Sequence, residues 1–279
     1  MKIFRRVIAT MLSFVFVFLL AGCGGQLAEY RPITTVQDFG GRRIGVLVGW
    51  EADYLLTGRD DLTIRRYDTL SDLILALAYK QLDGVALDED TANMVLSAVD
   101  GIHLFDEPIA YIGYCCIVGE KGEKYFNKYN TWIADFMKTD DYKVYEERNH
   151  SFDGVNYEYL DIAEAENPTD TITIGYVPIY YPCAFEGKNG YVTGFDIDIF
   201  RYFAKDMGYK LEFVPIAEAA IGESLKSVDI IVGGLTDVYK DDYEMIPGVH
   251  VCEPFRKTYI KVIEVSDWDS LEMKSAIEQ

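Results

Sequence analysis

The side chains able to carry chemistry in this 279-residue sequence are cysteines, carboxylates and tyrosines. Of its five cysteines, Cys23 closes an apolar run near the start, and Cys115, Cys116, Cys183 and Cys252 form no C-x-x-C pair. Adjacent Cys115 and Cys116 in an apolar strand would point to opposite faces, so a single metal ion is poorly served by them. These four read as buried free thiols, although Cys183 and Cys252 could pair in an oxidising compartment, which sequence alone leaves open. The three histidines, His103, His150 and His250, are scattered singly, so neither a histidine metal site nor a cofactor is expected. No Ser-His-Asp arrangement is evident, and Gly40-Gly41 and Gly233-Gly234 lack the helix-opening context of a phosphate loop. Acidic residues outnumber basic ones 46 to 26, for a formal net charge of −20. Such a surface repels phosphate backbones and argues against nucleic acid as a partner. The 21 tyrosines supply apolar faces with polar tips, suited to a wet cleft and equally to a core.

The elements that would position these groups begin beyond a leader. Lys2, Arg5 and Arg6 precede an apolar run over 7–20 and then Leu20-Ala21-Gly22-Cys23, the parts of a secretory signal with its cleavage site. The run is short for a spanning helix, which needs ~20 apolar residues. Its end resembles a bacterial lipobox, which implies a lipoprotein: cleavage before Cys23, a diacylglycerol on its thiol, palmitate-type acylation, and a membrane anchor on the extracytoplasmic face. Beyond Cys23 the 49% hydrophobic content can bury one large core or two smaller ones. Strands are predicted over 43–48, 63–67 and 84–87, alternating with helices over 51–57, 69–81 and 89–99. Leu70, Leu73, Ile74 and Leu77 set the helical period of the second, and Thr69 with Asp72 resembles a capping box. A strand over 110–118 leads to a long helical region over 123–148, then an acidic stretch over 151–170 with little periodicity. Alternation restarts with strands at 171–177, 210–214 and 229–232 and helices at 196–207 and 218–226. Gly208 stands where a helix-ending left-handed residue belongs, and a last strand covers 259–265. This is α/β patterning in two units.

Gly190-Tyr191-Val192-Thr193-Gly194-Phe195-Asp196-Ile197-Asp198 resembles the G-x-x-x-G-F-D-x-D signature of the amino-acid class of bacterial extracellular solute-binding proteins. Val228-Asp229-Ile230-Ile231-Val232-Gly233-Gly234 is similar to the strand that follows in that family's first lobe. Leu82-Asp83-Gly84-Val85-Ala86-Leu87-Asp88 and Asp38-Phe39-Gly40-Gly41-Arg42-Arg43-Ile44-Gly45-Val46 resemble second-lobe segments. The resemblance implies a two-lobe, type II periplasmic-binding-protein-like fold, here in permuted lobe order. The division it suggests is a signal over 1–22, a tether over 23–34, the second lobe over 35–120, and a helical region over 121–150 packing on the first lobe. An acidic linker over 151–170 and the first lobe over 171–279 complete it. Residues 266–272 resemble the family's lead-in to the second lobe, so a circular permutation cut at one hinge crossing is expected, with a truncated tandem as the rival. On that reading the crossing near 112–118 is continuous and the one near 259–265 ends unattached, which would loosen opening.

The resemblance also implies where a ligand would sit. Asp88, ending a parallel strand, falls where the family holds a ligand ammonium, and it suits a helix N-cap equally. Trp50 and Glu51 replace the small residues that receive a ligand carboxylate at a helix N-terminus. In the stretch from Gly234 to Asp241, with Thr236 and Asp237, the family's carboxylate-binding arginine falls on Asp241 and its threonine on Val238. The stacking phenylalanine falls on Ala184, where Tyr180, Tyr181 or Phe185 could substitute. A site so changed should take a cationic or neutral polar amino-acid-like ligand, held by Asp88, Glu51 or Asp237 and the faces of Trp50, Tyr176 or Tyr181. The implied partners are that small molecule, an ABC permease and the membrane, and the implied role is uptake rather than catalysis. A sensory or structural lipoprotein with a degenerate cleft is the alternative. A dehydratase-like enzyme on the same fold would need a cationic clamp, for which Arg256-Lys257 is the nearby candidate.

Overall fold

Burial explains the first elements directly. In the computed structural model, which describes residues 36–187, 190–266 and 271–273, β1 (Arg43–Leu47) has its last four residues buried. It is followed by α1 (Glu51–Leu56), β2 (Thr63–Tyr67), α2 (Leu70–Ala78), β3 (Gly84–Asp88) and α3 (Glu89–Ala98). Strand β1 pairs in parallel with both β2 and β3. The Thr69 hydroxyl accepts from the Asp72 amide at 3.1 Å and starts α2, whose Leu70, Leu73, Ile74 and Leu77 pack beneath the sheet. Strand β3 is buried along its whole length, as a central strand covered on both faces should be. Cys23 and the segments read as signal and tether lie outside the described residues.

After β4 (Val99–Asp100), β5 (Ile102–Leu104) and β6 (Ala110–Tyr114), the chain leaves this sheet. Strand β7 (Ile117–Val118) belongs to a second sheet. Two helices follow, α4 (Glu123–Phe136) and α5 (Asp140–His150), divided where the Thr139 hydroxyl accepts from the Tyr142 amide at 3.2 Å. The second sheet is built by β8 (Asp170–Tyr176), then, past the β9 (Phe185–Glu186) and β10 (Val192–Thr193) ribbon and α6 (Phe195–Met207), by β11 (Tyr209–Pro215). Beyond α7 (Ile221–Ser224), β12 (Ile230–Val232), α8 (Lys240–Glu244) and β13 (His250–Val251) complete it in the order β11-β8-β12-β7-β13. The chain then crosses back. Strand β14 (Arg256–Val265) lies in the first sheet, antiparallel to β3, β5 and β6, and β15 (Glu272–Met273) pairs with β4. Among the described residues no helix is long and apolar enough to cross a membrane.

Strand β14 therefore sits with the 36–114 elements and not with 171–251, contrary to the expected division. Ile260, Val262 and Ile263 are fully buried against β3, a long-range pairing that no local pattern reveals. Both crossings, 115–116 and 252–255, are covalently continuous, so the expectation of one unattached crossing does not hold. They also run side by side: the Cys252 amide donates to the Cys116 carbonyl and the Phe255 amide to the Tyr114 carbonyl, both at 2.9 Å. The four described cysteines are free and buried, and Cys183 and Cys252 do not pair.

The core of the β8 lobe explains much of the aromatic content. Tyr125, Tyr129, Phe200 and Phe203 are fully buried there, with the Tyr129 and Phe200 rings stacked 5.3 Å apart. Residues 151–169 form neither helix nor strand, yet Phe152 and Ile162 are buried and the segment is pinned. Arg148 makes a buried ion pair with Asp198 at 3.0 Å and also donates to the Glu158 carbonyl, while the Tyr157 hydroxyl donates to Asp198 at 2.6 Å. Replacing Arg148 with alanine strands a buried carboxylate, and chemical denaturation should show a loss of about 3–5 kcal/mol.

Candidate ligand-binding cleft

Two adjacent parallel strands bring carboxylates to one edge. Strand β1 ends at Leu47, the chain turns through Gly49 at φ 75°, and Trp50 and Glu51 open α1. Strand β3 ends at Asp88, whose carboxylate accepts from the Thr91 amide at 3.0 Å and caps α3. Loops beyond the carboxyl ends of parallel strands are where α/β sheets receive ligands. From the other lobe, β12 runs into Gly233 and Gly234, at φ 113° and 76°. A Cβ on Gly234 would lie 2.8 Å from the Tyr180 ring, so glycine is needed both for the turn and for the aromatic wall beside it. The Asp196 carboxylate, fully buried, accepts from both amides at 3.1 and 2.9 Å and holds this turn. Burial pushes the Asp196 carboxyl up to about 6 despite Arg256 and these two amides. The aspartates of the Gly-Phe-Asp stretch are thus structural: Asp196 shapes the cleft wall and Asp198 anchors Arg148.

Between the lobes lies a cavity of about 520 Å³, within the usual range for small-molecule sites. Trp50, Glu51 and Asp88 line it from the β1 side, and Tyr180, Tyr181, Tyr239 and Tyr243 from the β8 side. The lobes meet at its edge. The Thr236 hydroxyl donates to Glu51 at 3.1 Å, and the Tyr239 hydroxyl donates to the Gly49 carbonyl at 2.9 Å. Tyr54 and Tyr239 pack edge to face at 5.3 Å, Trp50 and Tyr180 at 5.9 Å. Five carboxylates line the cavity, those of Glu51, Asp88, Asp90, Glu218 and Asp242, and among the described residues no Lys, Arg or His does. Arg256 stands just behind. Its guanidinium pairs with Asp90 at 2.7 Å, lies 3.8 Å from the Tyr114 ring centre, and reaches the Cys183 sulfur at 3.4 Å. The cation that could have served as a clamp for a substrate carboxylate is consumed by Asp90.

The expected site residues separate accordingly. Trp50, Glu51, Asp88 and Tyr181 line the cavity, and Thr236, fully buried, supports Glu51 from outside the lining. Asp237 turns away, accepting from the Gly113 amide at 2.8 Å beside the crossing. Tyr176 is a core residue, because strand alternation puts it on the same face of β8 as Ile172 and Ile174. Sequence reasoning missed Tyr114, Glu218, Asp242 and Tyr243. Tyr239 and Tyr243 are four apart, a spacing that places both on one helical face and could have flagged them.

With this geometry in view, comparison with known proteins gives a class. Residues 172–240 match the family of bacterial extracellular solute-binding proteins, family 3, over the stretch that contains the Gly-Phe-Asp signature. The "Probable amino-acid ABC transporter-binding protein" of Haemophilus influenzae is 34% identical over 73 residues, 25% of this chain and 28% of that protein. The chain thus spans well under a third of the length of the curated relative it matches. An ancestral cationic amino acid solute-binding protein shares 40% identity over 23% of this chain and 29% of its own, with a TM-score of 0.23. The L-cystine solute receptor of Neisseria gonorrhoeae shares 28% over 25% and 30%, with a TM-score of 0.23. The matched family is one of binding proteins rather than enzymes.

Glu51 yields a pH prediction. Burial first, then the neighbouring Asp88 charge, raises its carboxyl from an ordinary 4.5 to about 7. Between those values the folded chain keeps a proton that the unfolded chain releases, so Glu51 lowers stability as pH rises through the window. The cost is fully present above about 7 and reaches ~3 kcal/mol, taking 1.36 kcal/mol per unit. Glu51→Gln should therefore be the more stable protein in urea melts at pH 8 by up to ~3 kcal/mol, and the gap should close by pH 4.5.

Proposed function

We propose that this chain is a lipid-anchored, extracytoplasmic solute-binding protein of an ABC-type uptake system, taking a small cationic or polar amino-acid-like amine between its lobes. The observation that carries this reading is a cavity lined by carboxylates and aromatic rings, with no lining cation among the described residues. Asp88 and Glu51 would accept from a ligand ammonium, and the faces of Trp50, Tyr180 and Tyr181 would add cation–π attraction. A free α-carboxylate would find no partner, since Asp241 stands where the resemblance expects an arginine and Arg256 is neutralised. The match over 172–240 supports the transport role, and amino-acid transport is what the Haemophilus relative is named for. The same reading takes the chain as circularly permuted, because the matched segment follows the β1–β3 elements in sequence. Capture on the outer face, with hand-over to a membrane permease, then accounts for the lipobox-like end at Cys23.

Two measurements test this. Calorimetry at pH 8 should detect binding of primary amines or basic amino acids and none of aspartate or glutamate. Asp88→Asn should weaken amine binding at least tenfold, in keeping with ~1.5–3 kcal/mol for a hydrogen bond to a charged group; tight binding of an acidic amino acid sinks the reading. Separately, Cys23→Ser should abolish labelling by radioactive palmitate and move the protein out of the membrane fraction, and persistent labelling would refute the anchor.

A further inference from the structure

We infer that the cleft takes a ligand carrying an ammonium group at each end of an apolar chain, an aliphatic diamine or short polyamine, and that Glu218 and Asp242 at its mouth read the second charge. The inference rests on the amine reading above and sharpens it. Its first ground is the distribution of charge with depth. Asp88 is only 6% exposed and Glu51 half-buried, whereas Glu218 and Asp242 are exposed at the rim of the same cavity. Asp90 is already paired with Arg256, while none of the other four lining carboxylates belongs to an ion pair among the described residues. A single ammonium drawn to the more buried inner pair leaves the outer pair uncompensated.

The apolar lining of the same cavity is the second ground. Met94, Ile179, Ile221 and Ile246 contribute apolar surface, which suits methylenes and offers nothing to a carboxylate or hydroxyl. Tyr180 joins inner and outer ends: its ring edge meets Trp50, next to Glu51, and its hydroxyl donates to Glu218 at 2.6 Å. That bond fixes the outer carboxylate toward the cavity while leaving its second oxygen for a ligand N–H. The volume of about 520 Å³ leaves room for several methylenes beyond one ammonium. A basic amino acid also brings two cations, but its α-carboxylate would have to lie among these acids.

The test compares 1,4-diaminobutane and spermidine with butylamine by calorimetry on the full-length protein in detergent at pH 8, for the wild type and for the Glu218→Gln/Asp242→Asn double variant. Both substitutions are exposed, and a thermal melt checks that folding is kept. The expected result is at least tenfold tighter binding of the diamine than of butylamine. In the double variant that advantage should vanish while butylamine affinity stays put. Equal affinities in the wild type, or an advantage that survives in the double variant, would overturn the inference and leave the amine reading standing. Failure of every amine to bind would overturn both.

Discussion

One buried cation organises the junction. Arg256 stands at the point where the chain re-enters the first sheet, and its guanidinium touches Asp90 on α3, the Tyr114 ring at the end of β6, and Cys183 from the other lobe. Taking a guanidinium and a carboxylate out of water costs several kcal/mol per ion, which only a close, well-oriented partner offsets. That requirement fixes α3 against β14 and draws both crossings to the same place. Arg256 also acts at a distance, opposing the burial that raises the Asp88 and Asp196 carboxyls. Its own charge being matched by Asp90, the cavity in front of it keeps an uncompensated acidic lining.

From that junction the cleft acquires its chemistry. The two crossings are short and hydrogen-bonded to each other, and beside them the 151–169 segment packs on α3, where a Cβ on Gly154 would collide with the Met94 amide nitrogen. Across the mouth the lobes meet through the Thr236–Glu51 and Tyr239–Gly49 hydrogen bonds and two ring edges. A typical hydrogen bond contributes about 1 kcal/mol net, so such contacts are comparable with those a small ligand makes. The contact between the lobes and the proposed amine site draw on the same group, Glu51.

Several aromatic and acidic residues that suggest a site in the sequence serve the core instead. Asp196 and Asp198 belong to the stretch that resembles a family signature, yet their carboxylates hold a glycine turn and an arginine. Tyr176 faces inward, and the stretch over 151–169, acidic and without periodicity, is pinned by Phe152, Ile162 and Tyr157. Composition reports how many tyrosines there are, not which way they point.

What the sequence by itself determined is local. The apolar period of α2, the cap at Thr69, the glycine ending α6 and the positions of Glu51 and Asp88 at strand ends all follow from side-chain spacing and capping within a few residues. Fold class followed too, because alternating strand and helix patterns admit few packings. Only the tertiary structure decided that β14 lies between β3 and β5, that Arg256 meets Asp90, and that Glu218 and Asp242 reach the mouth where Asp237 does not. Those outcomes depend on pairings between residues far apart in the chain, where the partner that buries a face or neutralises a charge is chosen by the whole fold and leaves no mark on the neighbouring sequence.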